Sequence, residues 1–100
     1  MLINEVLKEF IFDCEIRKIS PRTLKSYRNN NQRFFNYSEK EFNVTELEEF
    51  SHWHIKQYFR FLIDKGLKET YVNGVLKSMR AFFLYTGEIA GNTCPFHFPV

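Results

Sequence analysis

The stretch Thr70-Tyr71-Val72-Asn73-Gly74-Val75-Leu76-Lys77-Ser78-Met79-Arg80-Ala81-Phe82-Phe83-Leu84-Tyr85-Thr86-Gly87-Glu88 decides how the chain is read. Val72, Val75, Leu76, Met79, Phe82 and Phe83 recur every three or four positions, which gathers them into one stripe of a helix. Thr70, Asn73, Lys77 and Arg80 keep the same spacing and form a second stripe, roughly a third of a turn away. Such a helix buries one face and offers the other. Two cations and two short hydrogen-bonding side chains suit phosphates and base edges. Gly74, inside the helix, costs roughly 1 kcal/mol relative to Ala, and a close approach to another helix or to a ligand would account for it.

Upstream, Ser51 is placed to cap a third helix over about His52 to Lys65, with Ile55, Tyr58, Phe59 and Leu62 inward. Trp53, Phe61 and Ile63 broaden that stripe enough to suggest contact on more than one side. Gly66 reads as its left-handed stop, and Thr70 as the candidate N-cap of the fourth helix. Between Glu39 and Phe50 the periodicity lapses, so the chain reads there as a connection with one helical turn at Thr45 to Glu49.

The strongest local boundary is Ile19-Ser20-Pro21. Ser20 can accept an amide hydrogen bond, and Pro21 at the first helical position gives up only an amide that lacks an intrahelical partner. The second helix then spans about Pro21 to Ser38. Leu24, Tyr27, Phe34, Asn31, Thr23 and Ser38 share one side, while Lys25, Arg28, Asn29, Gln32, Arg33 and Asn36 share a cationic, amide-rich side without an acid. The Asn run is a weak helix former, so packing of the flanking aromatics must hold it. The first helix, Leu2 to about Arg17, buries Ile3, Val6, Leu7, Phe10, Ile11 and Cys14 and turns an acidic face outward.

One hundred residues is the length of one ordinary domain, so one core is expected over 1–100. Twelve phenylalanines should mostly lie in it, since each buried Phe contributes about 1.5–3 kcal/mol. The net charge of +2 hides an uneven distribution: Arg17 to Lys40 and Lys56 to Arg80 are basic, and acidic segments flank them. Folding that brings the two basic segments onto one face would attract polyanions. Cys14 and Cys94 have no metal or disulfide spacing, and no apolar run nears the ~20 residues of a membrane span. These features point to a cytoplasmic chain with reduced thiols and no membrane. The residues 91–100, with Pro95 and Pro99, read as an extended exit segment.

A catalyst declares a nucleophile with its base, a metal cluster or a phosphate loop, and the sequence offers none of these patterns. His52 and His54 fall on different helical faces and His97 lies in the tail. The expectation is a binding module with no cofactor and no metal.

Ser20-Pro21-Arg22-Thr23-Leu24-Lys25-Ser26-Tyr27, followed by Phe34-Phe35, resembles the second-helix signature of the core-binding, SAM-like domain of tyrosine recombinases, the phage and transposon integrases. Ile55, Tyr58 and Leu62 with Lys65-Gly66 resemble that family's third helix. Thr70 to Asn73 through Leu76, Met79, Arg80, Phe82-Phe83 and Tyr85 resemble its fourth, and Ile89 with Asn92 its exit, here Asn92-Thr93-Cys94-Pro95 instead of Asn-Pro.

The resemblance implies an all-α, compact four-helix domain that forms one jaw of a clamp around duplex DNA, with helices two and four facing the DNA. It further implies a catalytic domain after the exit, so that the chain is a fragment of a longer integrase and carries no catalytic residue itself. The expected partners are double-stranded DNA, the parent's own catalytic domain and neighbouring protomers in a synaptic complex. The candidate DNA-binding residues are Arg22, Lys25, Arg28, Asn29, Gln32, Thr70, Asn73, Lys77 and Arg80. An alternative reading is a helical protein-interaction module without nucleic-acid binding, docking through Trp53, Phe61, Phe96 and Phe98.

Overall fold

The computed structural model describes residues 2–89. The exit segment 91–100 expected from the sequence, with Cys94, Phe96, His97 and Phe98, lies outside them. Four helices follow one another: α1 (Ile3–Ile16), α2 (Pro21–Phe42), α3 (His52–Asp64) and α4 (Glu69–Ile89), with a short 3-10 turn at Leu47–Glu49. Among the described residues there is no strand, only an isolated bridge between Leu2 and Glu46.

The apolar stripe of α1 is buried as its spacing predicts. The helix stops without a glycine: Lys18 takes φ 60°, and Ile19 donates to the Cys14 carbonyl at 3.0 Å, which satisfies an otherwise open helix end. Helix α2 opens as expected, with the Ser20 hydroxyl accepting the Thr23 amide at 3.3 Å and Pro21 in the first turn. It runs to Phe42 instead of the expected Ser38. Packing carries the extra turn: the Tyr37 ring lies 4.8 Å from Phe61, and Phe42 lies 5.0 Å from Trp53. Asn43, left-handed at φ 55°, then ends the helix, its amide on the Glu39 carbonyl at 3.0 Å.

The connection is fastened to the N-terminus by the Ile3 amide, which donates to the Thr45 carbonyl at 2.9 Å. Its turn covers Leu47–Glu49, shorter than the expected Thr45 to Glu49, and the Glu49 carboxylate accepts the Glu46 amide at 3.1 Å. Helix α3 starts after Ser51, whose amide donates to His54 Nδ1 at 3.0 Å. Gly66 closes it in the left-handed region, φ 76°.

Helix α4 begins at Glu69, so Thr70 sits inside the first turn and is not the N-cap. The first carbonyl to accept is that of Lys68, from the Val72 amide at 3.1 Å, and the Glu69 carboxylate lies at the positive end of the helix dipole. A strong helix former with a favourable charge extends the helix past the weaker Thr signal.

Rings make the core. Phe34 lies 5.3 Å from Phe50, 5.1 Å from Tyr58 and 6.3 Å from Phe83, joining α2, α3 and α4 through one fully buried side chain. Phe10 brings in α1, 5.5 Å from Phe82 and 5.3 Å from Tyr85. Phe12, which lies off the apolar stripe of α1, is 63% exposed. Ile63 is exposed, whereas Phe61 and Trp53 do broaden the contact side of α3, packing on Tyr37 and Phe42 of α2, with Trp53 still 53% exposed.

Candidate nucleic-acid interface

The two helices with the polar stripes pack against each other. Their crossing is held by three hydrogen bonds. The Asn31 carboxamide, fully buried, donates to the Tyr27 carbonyl one turn back at 2.8 Å and to the Ser78 carbonyl of α4 at 3.1 Å. Asn30 donates to the Ser78 hydroxyl at 3.0 Å, and that hydroxyl in turn donates to the Gly74 carbonyl at 3.1 Å. Towards the start of α4, Arg33 donates to the Tyr71 hydroxyl at 2.9 Å. The Asn run is therefore partly structural: its inner members fix α2 on α4, and Asn29 stays exposed.

Of the nine candidate residues, Arg22, Lys25, Arg28, Asn29, Thr70, Asn73, Lys77 and Arg80 are exposed, and Gln32 is half-buried. Among the described residues, Arg22, Lys25, Arg28, Lys77 and Arg80 make no ion pair and no side-chain hydrogen bond, so their charges face solvent unneutralised by a neighbour. Unpaired cations are able to take phosphates, because little has to be broken when an anion arrives.

The nine do not form one plane. Gln32 donates to Asn4 of α1 at 3.1 Å and to Asn36 at 3.0 Å, and with Arg28 it borders a cleft against Leu7, Ile11 and Glu15. Asn73 turns the other way, into a cleft of about 570 Å³ between α3 and α4 that Lys56 and Arg60 share. Arg80, two turns on, follows Asn73 by register, whereas Thr70 and Lys77 share the outward crest. Arg28 and Gln32 thus flank α2 on the α1 side, and Asn73 and Arg80 flank α4 on the α3 side.

Between the flanks lies a seam that the stripe argument passed over, made by Asn30, Arg33, Tyr71 and Ser78. Its signal was available: Asn30, Arg33 and Tyr37 recur at helical spacing along one edge of α2, as do Tyr71, Gly74 and Ser78 along α4. A β-carbon added at Gly74 would meet nothing within 4 Å, so no neighbouring helix requires a glycine there. The surface beside it is open.

Two ionisable groups, Cys14 and His54, sit away from this surface. Burial pushes the Cys14 thiol above its ordinary pKa, leaving it protonated and unreactive. Burial also lowers the His54 pKa, which keeps Nδ1 able to accept the Ser51 amide. Among the described residues, no group of three His, Cys, Asp or Glu side chains is placed to hold a metal ion, and no helix is long and apolar enough to cross a membrane.

Residues 6–89 match the family model described as phage integrase, N-terminal SAM-like domain. The chain is 29% identical over 82 residues to a protein named tyrosine recombinase XerC from Staphylococcus carnosus, and equally to two from strains of Staphylococcus epidermidis. These alignments cover 81% of the chain and 27% of each relative, so the chain spans about a quarter of their length. No solved structure matches it at the same stringency.

Proposed function

Because the chain belongs to the phage integrase N-terminal SAM-like domain family, we propose that it binds double-stranded DNA as the core-binding part of a tyrosine recombinase, in site-specific integration or recombination. The observation that carries this reading is the pairing of α2 with α4. Two helices packed on each other present Arg22, Lys25 and Asn29 from one and Thr70 and Lys77 from the other, without a neighbouring acid to neutralise the cations. Arg28, Gln32, Asn73 and Arg80 extend the surface to either flank. Lys and Arg hold the backbone, and Asn73 and Arg80 are the residues assigned to base edges.

Strand cleavage and exchange belong, on this reading, to a catalytic domain elsewhere in the parent polypeptide, acting in the cytoplasm where the DNA is. The domain's further partners are that catalytic domain and neighbouring protomers. The test is binding of the 100-residue chain to several unrelated duplexes. Lys77→Ala should weaken all of them alike, while Asn73→Ala or Arg80→Ala should narrow the difference between preferred and unrelated sequences. Equal, salt-independent affinities for every variant would refute the assignment.

One observation favours a second role. Phe61 packs against Tyr37, whereas Trp53, expected to dock a partner, is more than half exposed, as are Ile63, Phe12 and Ile16. A protein contact through them would survive about 0.5 M salt, where phosphate contacts are screened. Light scattering at that salt separates the two.

A further inference from the structure

A cleft of about 540 Å³ opens where α2, α3 and the first turn of α4 meet, and the residues assigned above to DNA do not line it. Three cations surround it, Arg33, Lys40 and Lys65, against the single carboxylate of Glu41. Lys65 Nζ sits 4.7 Å above the Phe61 ring, so an aromatic face already steers one ammonium group over the opening. The floor is Tyr58. Only 3% of that residue is exposed, yet it lines the cleft, and among the described residues its hydroxyl has no hydrogen-bond partner. Burial pushes its pKa up to about 12, so at neutral pH it is a proton donor awaiting an acceptor. The ring is what is buried; the hydroxyl reaches the cleft, where it is free to donate to an acceptor that enters.

We propose that this cleft is a phosphate site: Arg33, Lys40 and Lys65 neutralise one phosphodiester of the bound duplex, and the Tyr58 hydroxyl donates to its non-bridging oxygen. The inference rests on the reading that α2 and α4 carry a duplex. Asn29, Arg33, Asn36 and Lys40 recur at intervals of four, three and four along α2, so the exposed DNA-facing line continues without a break into the cleft. Tyr71, already bonded to Arg33 at 2.9 Å, orients the guanidinium. Glu41 opposes the anion from the rim.

The experiment has two arms on the 100-residue chain. In the first, duplex affinity is measured over a range of salt for the wild type, Tyr58→Phe, Lys65→Gln and Glu41→Gln, with thermal melts to verify folding. The site predicts a loss of about fivefold to tenfold for Tyr58→Phe, a salt slope shallower by about one for Lys65→Gln, and tighter binding for Glu41→Gln. In the second, inorganic phosphate is added against chloride at matched ionic strength while the ring signals of Tyr37, Tyr58 and Tyr71 are followed; they should shift together and saturate. If the duplex binds but Tyr58→Phe and Lys65→Gln bind as the wild type does, the cleft proposal is overturned and the α2/α4 reading stands. If the duplex does not bind at all, the α2/α4 reading falls and the phosphodiester assignment falls with it; unmoved rings on adding phosphate to a chain that does bind the duplex overturn the cleft alone.

Discussion

Asn31 of α2 donates across the helix crossing to the main-chain carbonyl of Ser78 on α4 at 3.1 Å, from a position with no solvent exposure. The same amide holds the Tyr27 carbonyl at 2.8 Å, so its two N–H groups are both in use while Oδ1 has no partner. This carboxamide sets how the two helices that carry the candidate interface meet.

Removing it should therefore cost more than its size suggests. Asn31→Ala is expected to destabilise the fold by about 2 kcal/mol, from two lost hydrogen bonds and the small void left behind. Asn31→Asp should be worse at neutral pH, because a carboxylate would face two carbonyl oxygens. Its folded-state pKa would be raised, so its deficit relative to the wild type should shrink as the pH falls and the acid regains a donor proton. Urea unfolding at pH 7 and pH 4.5 gives both numbers; an Asp variant as stable as the wild type at pH 7 contradicts the assigned geometry.

His54 predicts a pH dependence. Its ring accepts the Ser51 amide at 3.0 Å, and burial holds its folded pKa below the unfolded value. The contribution is then fully present above the unfolded pKa of about 6.5 and is lost as the pH falls through the lower folded value. Stability should decline between about pH 7.5 and pH 5, and His54→Gln, which keeps an acceptor at the same capping position, should flatten that part of the profile. An unchanged slope in the Gln variant would remove His54 as the cause.

Two glycines should respond in opposite ways. Gly66 has φ 76°, and nothing lies within 4 Å of an added β-carbon, so Gly66→Ala should cost about 1 kcal/mol through the backbone alone. Gly74 is helical with equally open surroundings, so Gly74→Ala should stabilise the fold by about 1 kcal/mol. If the duplex backbone passes close to α4 at that point, the same variant binds DNA more weakly while melting higher. Paired melting and binding curves read both effects; a gain in stability with unchanged affinity moves the DNA away from Gly74.

Helix identity was legible in the sequence wherever a stripe ran unbroken, as in Val72 to Phe83, and wherever a cap had its own chemistry, as at Ser20-Pro21 and Gly66. The missed boundaries had tertiary causes. The last turn of α2 depends on Tyr37 and Phe42 meeting Phe61 and Trp53, partners far away in sequence. The stop after α1 uses Lys18, a residue with no preference for the left-handed conformation. At the candidate site the charges were readable but their grouping was not. Periodicity places Arg28 and Arg33 both outside, and only packing shows that one borders α1 while the other bonds Tyr71 of α4. The seam residues Asn30 and Ser78 look like ordinary polar surface until the helices cross.

The most direct test of the central claim is to map the backbone amide shifts of the 100-residue chain on adding a duplex of about 20 base pairs, at 50 mM and 300 mM salt. The account predicts perturbations running along the exposed faces of α2 and α4, centred on Lys25 to Arg33 and Thr70 to Arg80, with an affinity that falls by at least tenfold at the higher salt. Perturbations confined to α1 and α3, or an affinity indifferent to salt, would contradict it.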